Sequence, residues 1–264
     1  CDPVDRLARN RQTARMQPQQ QNPYGQGPQY AAGVGADPRA QLASGVEQFM
    51  FRVNAWMAAG VGLTGVAAFA VAQSTSLLQT LFTGGMVWVT LFAPFIFVMI
   101  FASRLHKMSS TTATVVFLAF SVIMGVSLAP VALIYTGESI ASVFAITSIT
   151  YGALAFWGFT TKRDLAPMGK FLFMLLIGMV VSGVVMVVMQ LGFGMTFNPV
   201  VFMVRAGIGV LLFAGLTAYD TQKIKQIYLM NGGAGNLAIS GALTLYLDFI
   251  NLFLFLLRLF GNRN

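Results

Sequence analysis

The sequence is short of charge. Of its 264 residues only 9% are Asp, Glu, Lys or Arg, against about 25% in a soluble domain. Hydrophobic residues make up 56% and the mean hydropathy is +0.73. Too few polar side chains exist to cover a water-facing globule, which excludes an ordinary soluble enzyme and a disordered chain. Cysteine occurs once, at Cys1, so no intramolecular disulfide can form and a disulfide scaffold is excluded. Histidine occurs once, at His106 in a basic stretch. That rules out a His-rich metal site and leaves no intramembrane histidine for a rhomboid-type serine protease. The last apolar stretch has no central lysine, so the Schiff base of a retinal protein has no anchor. The class that remains is an all-α polytopic membrane protein.

What the chain does have is a succession of apolar runs. A spanning helix needs about 20 residues, and seven such runs fall near residues 49–72, 80–103, 111–135, 140–161, 170–190, 200–228 and 238–260. They lack period-2 alternation, so they read as helices and not as barrel strands. Glycines recur inside them, at Gly60, Gly62, Gly65, Gly178, Gly183, Gly207, Gly209 and Gly215. Small residues let membrane helices pack closely, and Gly178 with Ser182 forms a small-xxx-small pair. Residues 1–44 differ: the stretch MQPQQQNPYGQGPQY is rich in Gln, Pro and Gly, cannot bury a core, and reads as a disordered tail. The chain therefore divides into a tail, 1–44, and a transmembrane domain, 45–264. The tail has no apolar run of signal-peptide type. A start on Cys1 reads either as a start other than the native one or as a lipid-modified terminus.

The net charge of +8 sits between the apolar runs. With no compact basic domain, nucleic acid is not the expected partner; the bilayer is. Five arginines lie in the tail, Arg104, His106 and Lys107 follow the second run, and Lys162, Arg163 and Lys170 follow the fourth. The alternate loops, 73–79, 136–139 and 191–199, contain no Lys or Arg and a single acid, Glu138. This asymmetry places the N-terminus and the basic loops in the cytoplasm, and seven spans then put the C-terminus outside, where Arg258 and Arg263 fit less well.

Of the eight acids, Asp2, Asp5 and Asp37 are in the tail, Glu47 stands at the first helix, and Glu138 and Asp164 are in loops. Asp220 and Asp248 alone fall inside spans. An ionisable group at membrane depth is costly and usually faces a bundle interior, where it serves a function. The sixth and seventh runs are joined by the short turn MNGGAGNL, so they are expected to be antiparallel neighbours. Asp220 lies eight residues from the end of one and Asp248 ten from the start of the next, which gives depths of roughly 12 and 15 Å from the same face. Two carboxyls that close cannot comfortably both be charged, so the pair is expected to hold one proton between them. Doubly ionised, it would repel itself and attract a cation, and calcium prefers carboxylate and carbonyl oxygens.

The segments TAYDTQKIK and LTLYLDFINLFLFLLRLFG, together with AFWGFTTKRDL and MGVSLAP, resemble the transmembrane Bax inhibitor-1 family over about residues 45–264. The resemblance implies a seven-helix bundle with the last helix in the centre. It implies a pH-sensitive calcium leak channel of a bacterial inner membrane, with no required cofactor and no enzymatic activity. Its sensor is an aspartate pair that corresponds to Asp220 and Asp248. A basic residue after the second helix can latch onto the pair in the family; Arg104 or Lys107 matches by location. Partners implied are the bilayer, the calcium ion and, in bacteria, a membrane-bound ATP-dependent protease; in eukaryotes the family is linked to restraint of cell death.

Three further residues are candidates from position. Asn251, one turn beyond Asp248, is on the same face and can line a path. Arg258, about 15 Å further along the helix, either plugs the outer mouth by pairing with Glu138 or snorkels to the interface. The competing class is an intramembrane aspartyl protease, which also places two aspartates on consecutive helices, the first often in a Tyr-Asp pair such as Tyr219–Asp220. Those enzymes carry Gly-x-Gly before the second aspartate. Leu245, Tyr246 and Leu247 stand there instead, which favours a packed gate. A regulator of a membrane protease with no flux of its own is the third reading.

Overall fold

Lipid replaces water around most of this chain, and the helices show it. A computed structural model describes residues 38–232 and 236–264. Among them the helices are α1 (Pro38–Ala72), α2 (Thr75–Phe82), α3 (Met86–Arg104), α4 (Ser110–Leu128), α5 (Val131–Ile134), α6 (Gly137–Thr160), α7 (Ala166–Phe193), α8 (Pro199–Asn231) and α9 (Leu237–Phe260). A 3₁₀ turn, Leu105–Lys107, finishes α3. Pro130, which has no N–H to donate, separates α4 from α5 within one span. Among the described residues, seven helices are long and apolar enough to cross a membrane. Large apolar side chains point outward as well as inward: Phe51 and Ile149 are each 75% exposed, a surface that water would not tolerate at this extent.

Starts and stops follow local chemistry. Ser109 Oγ accepts from Thr112 N, Thr136 Oγ1 from Ser139 N, and Asn198 Oδ1 from Val200 N, so α4, α6 and α8 begin at polar caps. Helix α8 ends where Gly232 turns left-handed, with φ +66°.

Residues Leu42–Asn264 form one contact unit. The other unit, Cys1–Gln41, is described only where α1 begins; Cys1, the Gln/Pro/Gly stretch and the four N-terminal arginines fall outside the described residues. Helix α1 starts at Pro38, inside what composition reads as tail, yet its first buried residue is Val46.

Helix α9 is central. Half of its apolar stretch is buried, against at most 33% in the other six spans. It packs on α8, α6 and α4, and on α1 through Tyr246, whose hydroxyl is 2.6 Å from Thr64 Oγ1. Two apolar clusters fill the bundle. One joins α1, α4 and the first half of α9 around Phe117, Phe120 and Tyr246. The other joins α7, α8 and the end of α9 around Leu172, Leu212 and Leu252. Asp248 lies between Tyr246 of the first cluster and Leu252 of the second along α9.

The expected glycine contacts divide. Gly60, Gly183, Gly209 and Gly215 meet neighbouring side chains, whereas Gly62, Gly65, Gly178 and Gly207 have open space beside them. The Gly178/Ser182 pair is therefore not a helix-packing motif here: Ser182 receives a hydrogen bond from Arg205 instead.

The C-terminus is tied to the loop before α6. Thr136 N donates to Asn262 O, Asn264 N to Ile134 O, and Asn262 N to Ser139 Oγ. Seven spans put this knot on the face opposite the basic loops.

Candidate functional site

Helices α8 and α9 run antiparallel from a short turn, and that turn sets the register of two carboxyls. Asp220 lies eleven residues before Asn231, and Asp248 eleven residues after Leu237. Both are thus about 16 Å from the turn. They border one cavity of about 730 Å³. Asp248 is buried, and its Oδ2 is screened from solvent with no hydrogen-bond donor among the described residues. A buried, unpartnered carboxyl oxygen is costly; a proton or a cation is what would satisfy it. No group of three or more His, Cys, Asp or Glu lies together among the described residues, so a cation here would meet two carboxylates and otherwise neutral oxygens.

Thr244 and Asn251 border the same cavity from α9. The Asn251 amide donates to Leu247 O at 2.7 Å, which holds its side chain against the helix. Lys170 and Lys223 stand at the basic-loop end. Lys223, one turn after Asp220, acts on it electrostatically, and its Nζ lies 5.7 Å from the Tyr219 ring centre.

Arg104 and Lys107 are exposed at the end of α3 and do not border the cavity. The structure does not bring them to the aspartates; the neighbouring cation is Lys223, from α8 itself. The turn between α3 and α4 instead serves the start of α9: Asn236 Nδ2 donates to Leu105 O, and to Met108 O at 3.3 Å.

The segment around Asp220 is braced from both sides. Gln222 Nε2 donates to Arg163 O at 2.8 Å, and Gln222 Oε1 accepts from Leu165 N at 2.9 Å. Lys225 Nζ donates to Phe159 O at 2.8 Å, at the carbonyl end of α6, where a cation is favoured. Gly158 lets α6 press on α8: a Cβ there would lie 2.3 Å from Ala218 O. The TAYDTQKIK and GFTTKRDL segments are therefore two halves of one joint.

At the far face Arg258 and Glu138 do not pair. Both are exposed, and the Arg258 guanidinium lies 5.9 Å from the Phe202 ring centre. One charged residue near this end is absent from the sequence-derived candidates. Arg205 lies six residues into α8, borders the aspartate cavity, and is half-buried. Its signal in the sequence is an arginine inside the apolar run FMVRAGIG, a base within a span just as Asp220 and Asp248 are acids within spans. Counting Lys and Arg only as loop markers of topology hides it.

Comparison with known proteins bears on the chain as a whole. A family model described as "Inhibitor of apoptosis-promoting Bax1" matches residues 46–264. The chain is similar to the inner membrane protein YbhL of Escherichia coli K12, with 39% identity over 86% of this chain and 97% of that one. It is also similar to an uncharacterized protein of Rickettsia prowazekii, 38% identical over 83% and 91% of the two chains. A Caulobacter vibrioides protein is 35% identical over 88% and 96%.

Proposed function

The chain belongs to the Bax inhibitor-1 family of membrane proteins, and from that footing we propose that it is a pH-sensitive calcium leak pathway gated by Asp220 and Asp248. The observation that carries this reading is the pair itself: two carboxyls at equal depth on adjacent helices, bordering one largely apolar cavity, with a buried oxygen that has no donor among the described residues.

In the closed bundle the pair shares a proton and holds α8 to α9. When that proton leaves, or when Lys223 competes for a carboxylate, two like charges face each other in a poorly screened site and push the helices apart. Calcium, the permeant ion, is the cargo that two carboxylates with Thr244 and Asn251 oxygens would attract. The two populations differ by the interactions of one buried pair, which is enough to bias a two-state bundle. The reading places the chain in a bacterial inner membrane with its N-terminus and basic loops cytoplasmic, as the positive-inside pattern expects.

The protease alternative finds no support at the pair. Leu245 and Tyr246 are fully buried, and Leu247, which borders the cavity, puts a bulky side chain where those enzymes have glycine to let substrate approach the backbone. Regulation of a membrane-bound ATP-dependent protease would use exposed surfaces and is independent of flux.

The test is calcium flux into liposomes holding the purified protein, across the neutral pH range, for wild type, Asp220→Asn and Asp248→Asn. Wild type is expected to leak in a pH-dependent way, and either substitution to abolish that dependence. Identical leak from all three at every pH would sink the gate. Cleavage of a transmembrane peptide that both substitutions abolish would promote the protease reading.

A further inference from the structure

Arg205 is a cation inside a span, with no carboxylate among its hydrogen-bond partners. Its Nη2 donates to Met179 O at 2.8 Å, and its Nη1 to Ser182 Oγ at 3.2 Å and Met186 Sδ at 3.5 Å. The direction of the side chain is informative. Residue 205 is about 9 Å inside the start of α8, where an arginine ordinarily snorkels outward to the interface. Here it reaches across to α7, to a carbonyl fourteen residues before Phe193, about 21 Å from that helix end. Its three partners lie seven to fourteen residues before Phe193, about 10–21 Å from that helix end, so the guanidinium lies along the body of α7 and not at its end. Gly183 makes room for it: a Cβ there would lie 2.5 Å from Nη2.

Position within the cavity gives this charge a role. By position along the helices, the cavity lining runs from Gly169, Lys170 and Lys223 near the basic-loop end, by Asp220 and Asp248, to Arg205 and Phe255 nearer the other end. Arg258, exposed near the end of α9, adds a second positive charge on this side of the aspartates, its guanidinium 5.9 Å from the Phe202 ring centre on α8. A cation drawn in by the aspartates meets a fixed positive charge before it can leave on the other side.

Building on the leak reading, we propose that Arg205 is the electrostatic barrier of the pathway, the specificity-determining residue that limits passage of cations beyond the aspartate pair. Fixed guanidinium charges exclude cations from other narrow pores by the same physics. The energy of an ion in the field of a fixed charge scales with the ion's own charge, so Arg205 holds back calcium more than potassium. Ser182 and Met179 O keep the guanidinium in place while the bundle is closed. Opening lets it swing towards the interface, the position its depth on α8 otherwise favours.

The experiment compares calcium and potassium flux into liposomes for wild type, Arg205→Gln, Arg205→Lys, Gly183→Ala and Asp248→Asn of the full chain. Arg205→Gln is expected to raise calcium flux about tenfold at the pH where wild type is closed, and potassium flux by the square root of that, about threefold. Arg205→Lys keeps the charge and holds the calcium-to-potassium ratio near wild type. Gly183→Ala displaces the guanidinium without removing it and raises the ratio by a smaller factor. That arm carries the test if Arg205→Gln does not purify as a single species. Equal rises for both ions overturn the charge barrier in favour of a steric plug. Flux that responds to Asp248→Asn while its ion ratio ignores both Arg205→Gln and Gly183→Ala overturns the role of Arg205 alone. Absence of flux from every protein overturns the leak reading and this inference with it.

Discussion

The Tyr246 hydroxyl lies 2.6 Å from Thr64 Oγ1, two residues before Asp248 on the same helix. This bond pins the central helix to α1, while Asp248 faces the other way, towards α8. Tyr246 is fully buried and its ring meets Phe117 and Phe120 edge-on at 5.7 Å. Tyr246→Phe keeps those contacts and removes one hydrogen bond. Thr64 retains its bond to Gly60 O, so no group is stranded. The expected loss is about 1 kcal/mol, read as a lowered midpoint of thermal unfolding in detergent.

Lys223 and Arg104 separate two accounts of the latch. Lys223 borders the aspartate cavity and Arg104 does not. Lys223→Gln is therefore expected to shift the pH response of calcium flux in liposomes. Arg104→Gln and Lys107→Gln are expected to leave it unchanged. The reverse pattern would show that α3 swings its cations to the pair in a state other than this one.

Gln222 bridges α8 to the loop after α6 with two hydrogen bonds. In Gln222→Ala the Leu165 amide and the Arg163 carbonyl lose their partner. Hydrogen exchange at residues 163–166 is expected to accelerate, with a stability loss of about 1–3 kcal/mol. Unchanged exchange there would mean that Lys225 and Gly158 suffice to hold the joint.

Gly158→Val tests the crossing of α6 and α8. Even a Cβ at 158 would lie 2.3 Å from Ala218 O, a backbone atom that cannot move aside alone. Overpacking of this kind costs about 1–3 kcal/mol or more, and here it also displaces the helix that carries Asp220. Low yield of folded protein is the expected result, with Gly152→Val, which has open space, as the tolerated control.

Most of the architecture was legible in composition because a bilayer leaves few choices. Long apolar runs must be helices, and the seven inferred spans match the seven observed helices to within several residues at most ends. The α1 boundary was not legible: hydropathy reports transfer out of water, into lipid or core, and residues 40–44 are helical yet exposed and weakly apolar. The joint between GFTTKRDL and TAYDTQKIK was visible only as two motifs. Nothing in either says that Gln222 reaches Arg163 O, because that contact depends on how α6 and α8 cross at Gly158.

The division at the site is similar. Spacing alone determined that Asp220 and Asp248 would lie at matched depth, since helix rise is fixed and the turn between them is short. Spacing could not fix rotation about each helix axis. Which side chains share a cavity is decided by side-chain packing between helices: it turned Lys223 towards Asp220, kept Arg104 and Lys107 at the surface, parted Arg258 from Glu138, and folded Arg205 inward over Gly183. Depth is a one-dimensional quantity and the chain encodes it directly; azimuth is set by neighbours distant in sequence, and only the assembled bundle supplies them.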